Sequence, residues 1–189
     1  MQIPKVLNSI NIFSKASGLK LNIDKCEILA LHDQPALSIC NISVKSQVKY
    51  LGIVITKNKE TRERENVCKN VDRCKTILNS WLQRDITVFG RVLLSKMESL
   101  SRVIYPAFSL EISDKMAKLI NNLNFKFIWK NKCQYIRRAD VVKSIEEGGL
   151  NAIDFSVMTG ALKLKWLSSF ILHKDSFWFT IPKAIFQKL

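Results

Sequence analysis

The sequence predicts an α+β, α-dominated fold: a small antiparallel sheet in the N-terminal third, followed by a helical bundle. Two observations carry this. Short apolar runs that alternate or lie between turn residues, the mark of strands, are confined to roughly the first sixty residues. Beyond about Lys57 the apolar residues recur at three- and four-residue steps, the mark of amphipathic helices. A chain of 189 residues is one ordinary domain or two small ones, and buries about 70% of its unfolded surface without staples.

The elements follow in order. Val6, Leu7, Ile10, Ile12 and Phe13 share a helical spacing over residues 5–17, and Ser17-Gly18 ends that helix. Leu19, Leu21 and Ile23 alternate with polar residues and predict a strand. Further strands are predicted over Glu27–Leu31, Ile39–Val44 and Val48–Ile55, with a turn at Gln34-Pro35. Val67, Val71, Cys74, Leu78 and Trp81 then define a helix over 61–83. Asp85 is placed to cap a second helix over 86–104, ended by Pro106. Ser113 caps a third, with Met116, Leu119, Ile120, Leu123 and Phe127 on its apolar side. Glu146-Glu147-Gly148-Gly149 is a turn, and Asp154 or Ser156 opens a fourth helix through Met158, Leu162, Trp166 and Phe170. A last short helix is expected from Trp178 to Ile185. Trp81, Trp129 and Trp166 lie on apolar faces and read as core.

Charge narrows the function. Thirty Lys+Arg against sixteen Asp+Glu leave the chain at +14, a balance that favours polyanionic partners through counterion release. Residues 61–138 hold sixteen basic and seven acidic residues, net +9, so the helical middle is the basic part. The five cysteines are scattered, with no Cys-x-x-Cys and no nearby histidine pair, which argues against a zinc site and for free thiols in a reducing compartment. No membrane-length apolar run and no signal-peptide core appear, so an intracellular protein, nuclear or cytoplasmic, is expected. Phosphoryl transfer needs carboxylates converging on paired metals. The aspartates here are isolated, there is no Asp-Asp or Asp-x-Asp, and no Gly-rich phosphate loop or Ser-His-Asp set exists.

Five stretches, read in order, carry a resemblance: FSKASGLKLNIDKCEIL, VKYLGI, LNSWLQRDITVFGRVLLSKMESLSRVIYPAF, FKFIW and EEGGLNAIDF. Together, from about Ile12 to Trp166, they resemble the reverse transcriptases of LINE-type (non-LTR) retrotransposons. Cys26 departs from the serine usual in that family after the lysine. The resemblance implies that residues 1–57 are the end of a palm and 58–189 a thumb-like and C-terminal helical region. It also implies that the metal-binding Asp-Asp hairpin lies before this sequence, so that these residues alone are not catalytic and carry no cofactor. The complete family enzyme would need Mg. The expected partner is an RNA–DNA template–primer held through its phosphates, with no membrane and no small-molecule substrate. The expected alternative is a free-standing basic nucleic-acid-binding module, or a non-functional relic, derived from such an element.

The same resemblance nominates residues. Lys49, Tyr50, Leu51 and Gly52 correspond to a primer grip, where Gly52 lets the backbone approach the primer and Tyr50 packs on a sugar or base. Lys25 sits where polymerases place a basic residue near the leaving pyrophosphate, with a solvated lysine as the equal alternative. Arg84, Arg91 and Lys96 flank the turn into the second helix and are expected on duplex phosphates, with ordinary surface charge as the equal alternative for each. Gly90, inside that helix, suggests a close approach between helices.

Overall fold

The structure is a computed structural model that describes residues 3–32, 37–173 and 179–186. The expected Gln34-Pro35 turn and the Trp178 start of the last helix lie outside the described residues. The chain divides into two compact units, Met1–Asn66 and Val67–Leu189. The architecture is α+β and helix-dominated.

The first unit opens with α1 (Ile3–Ser17), which buries none of its residues and ends at Gly18, whose φ of 74° stops the helix. Leu19 to Ile23 is not a strand. Asn22 instead caps a single 3-10 turn, Ile23–Lys25, its Oδ1 accepting from the Lys25 amide at 3.2 Å, and such local capping competes with extension. Five short strands follow: β1 (Glu27–Leu29), β2 (Ser38–Ile39), β3 (Ile42–Lys45), β4 (Gln47–Tyr50) and β5 (Ile53–Thr56). β2 and β3 form one antiparallel hairpin, β4 and β5 another, and β1 adds to β3 in parallel register, Ile28 opposite Val44. The predicted single strand over Val48–Ile55 is therefore two strands folded on a turn. The run Ile39–Val44 is likewise bent, between Ile39 and Ile42. Both turns have two residues, and all four are left-handed: Cys40 (φ 52°), Asn41 (63°), Leu51 (47°) and Gly52 (84°). Those signs are what a two-residue type I′ turn requires to match strand twist.

The sheet unit ends later than the expected break at Lys57 because the next helical turn is tied to it. Asn58 caps α2 (Lys59–Glu63), accepting from the amides of Glu60 and Thr61. The buried Asn66 then pairs with β5 as a neighbouring strand would. Its Oδ1 accepts from the Val54 amide and its Nδ2 donates to the Val54 carbonyl, both at 2.8 Å.

The helical unit comprises α3 (Lys69–Leu82), α4 (Val88–Leu94), α5 (Ser101–Ser109), α6 (Asp114–Ile128), α7 (Arg138–Val142), α8 (Phe155–Leu172) and α9 (Thr180–Phe186). Wider π-helical segments, Arg64–Cys68 and Ser95–Leu100, lead into α3 and join α4 to α5. The α3 stripe is buried as its spacing predicts at Val71, Cys74 and Leu78. Pro106 does not end its helix, which runs on to Ser109; the proline and Ala107 are buried, and that packing outweighs the one ladder bond it forfeits. Ser113 caps α6 through the Met116 amide and Asp154 caps α8 through the Ser156 and Val157 amides, as the sequence predicts. The short α7 is an element that the periodicity misses.

α6 is the hub. Ala117 and Ile120 join Val67, Val71, Leu100, Val103, Ala107 and Phe155 in one core cluster. Phe125, Ile128 and the adjoining Trp129 join Val92, Val141 and Ala152 in another. Asn121 fixes α6 to the start of α8. Its Oδ1 accepts from the Phe155 amide at 2.7 Å, and its Nδ2 donates to Asp154 Oδ1 at 2.9 Å. The EEGG turn is an elbow in which Gly148 is left-handed and Gly149 has no room for a side chain, since a Cβ there would lie 2.1 Å from the Lys143 carbonyl oxygen. Trp166, expected in the core, is 40% exposed and stacks on Phe170.

Candidate nucleic-acid interface

The VKYLGI stretch builds the hairpin tip of the sheet unit. Lys49 pairs with Val54 and Tyr50 with Ile53, so Leu51 and Gly52 form the whole turn. Ile53 is buried at 7% exposure, while Tyr50 (63%) and Leu51 (73%) stand open and Lys49 is exposed. Gly52 is explained by the turn itself, because its φ of 84° is one that glycine adopts freely. Leu51 is not so explained. A left-handed leucine costs about 1–2 kcal/mol, and asparagine or glycine is the ordinary choice at that position. Strain on an exposed, unburied side chain is a feature that folding alone does not reward. Lys25 is exposed on the separate 3-10 turn, not on the hairpin.

In the helical unit the three nominated cations have different fates. Arg84 is exposed at the end of α3, its guanidinium 4.7 Å from the centre of the half-buried Trp81 ring. Lys96 is half-buried on the π-helical segment. Arg91 does not present itself to solvent. It is 7% exposed, its Nε donates to the Ile128 carbonyl at 2.6 Å, and its Nη1 donates to the Ile86 carbonyl. Burial pulls its pKa down while Asp85 pushes it up. Arg91 thus clasps the end of α6 to the turn that leads into α4, and the phosphate contact expected of it is not available in this geometry. The cap of α4 is also not Asp85 but Thr87, whose Oγ1 accepts from the Gly90 amide at 3.2 Å. Asp85 is fully exposed and accepts from Lys130 at 2.9 Å, which holds its carboxyl below the usual range. A Cβ at Gly90 would meet only near neighbours in sequence, Ile86 Cγ2 at 2.6 Å and Thr87 Oγ1 at 3.4 Å, so no approach of another helix accounts for it.

A second feature escapes the sequence-based nominations. Between α3 and α6 runs a furrow of about 710 Å³. Leu78, Leu82, Leu119, Leu123 and Phe127 are among its apolar lining, and Lys75, Lys115, Lys118 and Lys126 stand on its rims. Its signal was present in the spacing. Lys115, Lys118, Asn122 and Lys126 step by three, four and four along α6, and Asp72, Lys75 and Asn79 by three and four along α3. Each is a polar line bordering an apolar one, but nothing local says that the two borders face each other.

Among the described residues no three His, Cys, Asp or Glu side chains converge to hold a metal ion. The described residues therefore offer no set of side chains that fits a Mg ion. Among the described residues no helix is long and apolar enough to cross a membrane. No family model matches the sequence.

Proposed function

We propose that this chain is the C-terminal, template–primer-binding part of a LINE-type reverse transcriptase, acting on an RNA–DNA hybrid and not catalytic by itself. The observation that carries this reading is the hairpin tip. The motif with the primer-grip resemblance forms an exposed turn that presents Lys49, Tyr50 and a strained Leu51 to solvent. Tyr50 offers a ring to a sugar or base face, Lys49 a cation to a phosphate, and the tight turn holds both close to the backbone. Arg84 and Lys96 supply further cations in the helical unit. Positive charge over the chain, +14, steers the polyanion in without choosing among sequences.

The test is binding of the purified chain to a labelled RNA–DNA primer hybrid and to blunt double-stranded DNA across a salt series, with Tyr50→Ala beside the parent. A preference for the hybrid that persists at moderate salt and is lost in Tyr50→Ala supports the reading. Equal binding to both, collapsing as salt rises and unmoved by Tyr50→Ala, would leave only a basic surface and favour a general nucleic-acid-binding module.

A further inference from the structure

The furrow between α3 and α6 has no part in the hairpin-based reading, and its lysines border an apolar floor that a phosphate backbone does not need. Its lining includes no arginine, so it lacks the planar fork that grips phosphates and guanines. Its one aromatic, Phe127, is 2% exposed and offers no face for stacking a base. What it does offer is leucine: Leu119 is 47% exposed at the furrow, and Leu82 and Leu123 are half-buried beside it. Four lysines border this strip against one acid, Asp72, and none of the four makes an ion pair among the described residues.

We propose that the furrow docks an acidic amphipathic helix of a partner protein, its apolar stripe on the leucine floor and its Glu or Asp flanks against the lysine rims. An open seam along two packed helices accepts the ridge of a third, with apolar anchors at i, i+3/i+4 and i+7. The lysine border fixes the sign of the partner's flanks. From Lys115 to Lys126 the α6 rim runs for about 16 Å, which sets the length of the docked helix at about three turns. A helix with basic flanks is rejected by the same four charges.

The experiment uses the whole chain and a fluorescent helical peptide of about 14 residues, the three docking turns and about one to spare, with leucine along one stripe and glutamate on both sides. Binding is read by anisotropy beside a twin carrying lysine for glutamate, with a single-stranded oligonucleotide titrated separately. The glutamate peptide is expected to bind and the lysine twin not. The double variant Lys115→Glu with Lys118→Glu is expected to weaken the glutamate peptide tenfold or more and to gain binding of the lysine twin, a rescue that an unfolded chain cannot give. Leu119→Gln, an exposed site, is expected to weaken binding at high salt as well as low, because the floor is not screened. Equal binding of the two peptides overturns the proposal. So does loss of oligonucleotide binding in the double variant with the glutamate peptide unaffected, which would assign the furrow to nucleic acid.

Discussion

Leu51→Asn is expected to make the hairpin more stable and the protein worse at holding a primer. Leu51 has a φ of 47° at the first turn position, where a left-handed leucine costs about 1–2 kcal/mol and asparagine is tolerated. At 73% exposure the leucine regains little of that by burial, so the exchange should stabilise the turn by about 0.5–1 kcal/mol. The chain has two units and no single unfolding midpoint reports on the hairpin, so the assay is amide hydrogen exchange at Tyr50 and Ile53, the pair that closes the turn, since the Val54 amide is bonded to Asn66 and not across the hairpin. A gain of that size slows exchange by about two- to fivefold. In parallel, affinity for an RNA–DNA primer hybrid is measured at fixed salt, and a loss of threefold or more is expected with little change for blunt duplex DNA. Unchanged exchange rates would refute the strain argument. Slower exchange with undiminished hybrid binding would refute the claim that the leucine is kept for binding.

Three further outcomes follow from the helical unit. Arg91→Met leaves the Ile128 and Ile86 carbonyls without their donor, so denaturant unfolding should show a loss of about 2–4 kcal/mol; the slope of log affinity on log salt should stay unchanged, whereas a slope smaller by about 1 would restore Arg91 as a phosphate contact. Burial works to raise the pKa of Asp154, but hydrogen bonds from Asn121, from the Val157 and Ser156 amides and from the Ser156 hydroxyl outweigh it and leave the pKa lowered. A lowered folded pKa contributes stability that is complete above about pH 4 and lost as pH falls through the folded value; Asp154→Asn should remove that pH-dependent share, and an unaltered acid limb in circular dichroism would count against it. Gly149→Ala drives a Cβ against backbone and should cost about 3 kcal/mol or prevent folding, while Gly148→Ala, left-handed but with open space, should cost about 1; equal thermal shifts would contradict the elbow geometry.

Much of the helical unit was legible because amphipathic spacing and caps are local. The Val67–Leu78 stripe, the Ser113 and Asp154 caps and the Glu146–Gly149 turn all stand where composition and periodicity place them. The failures share a cause. Pro106 reads as a helix end by its own preference and Trp166 as core by its helical spacing, yet one is buried in a continuing helix and the other is 40% exposed. Asp85 and Thr87 are both capable caps two residues apart; Thr87 caps the helix, and Asp85 pairs instead with Lys130, which is distant in sequence. VKYLGI reads as one strand because its leucine disguises a turn that Asn-Gly would have announced. The candidate site divides the same way: the exposed hairpin tip follows from a contiguous motif, but the furrow needs two helices brought side by side.

Charge counting fails for a related reason, and the failure has a use. Arg84, Arg91 and Lys96 were nominated together as cations near one turn, and the sequence treats them alike. The fold spends Arg91 on two carbonyls, sets Arg84 over an indole and leaves Lys75, Lys115, Lys118 and Lys126 bordering an apolar seam. An arginine buried on main-chain carbonyls suits its fork of donors, which a lysine cannot imitate. Lysines on a rim remain hydrated and repel one another, so they are the charges that an acidic partner would relieve. The +14 is therefore several populations of charge, and the salt dependence of binding separates them. On the two proposals, the hairpin and the exposed arginine are expected to enter the slope for nucleic acid, the furrow lysines the slope for an acidic peptide, and Arg91 neither.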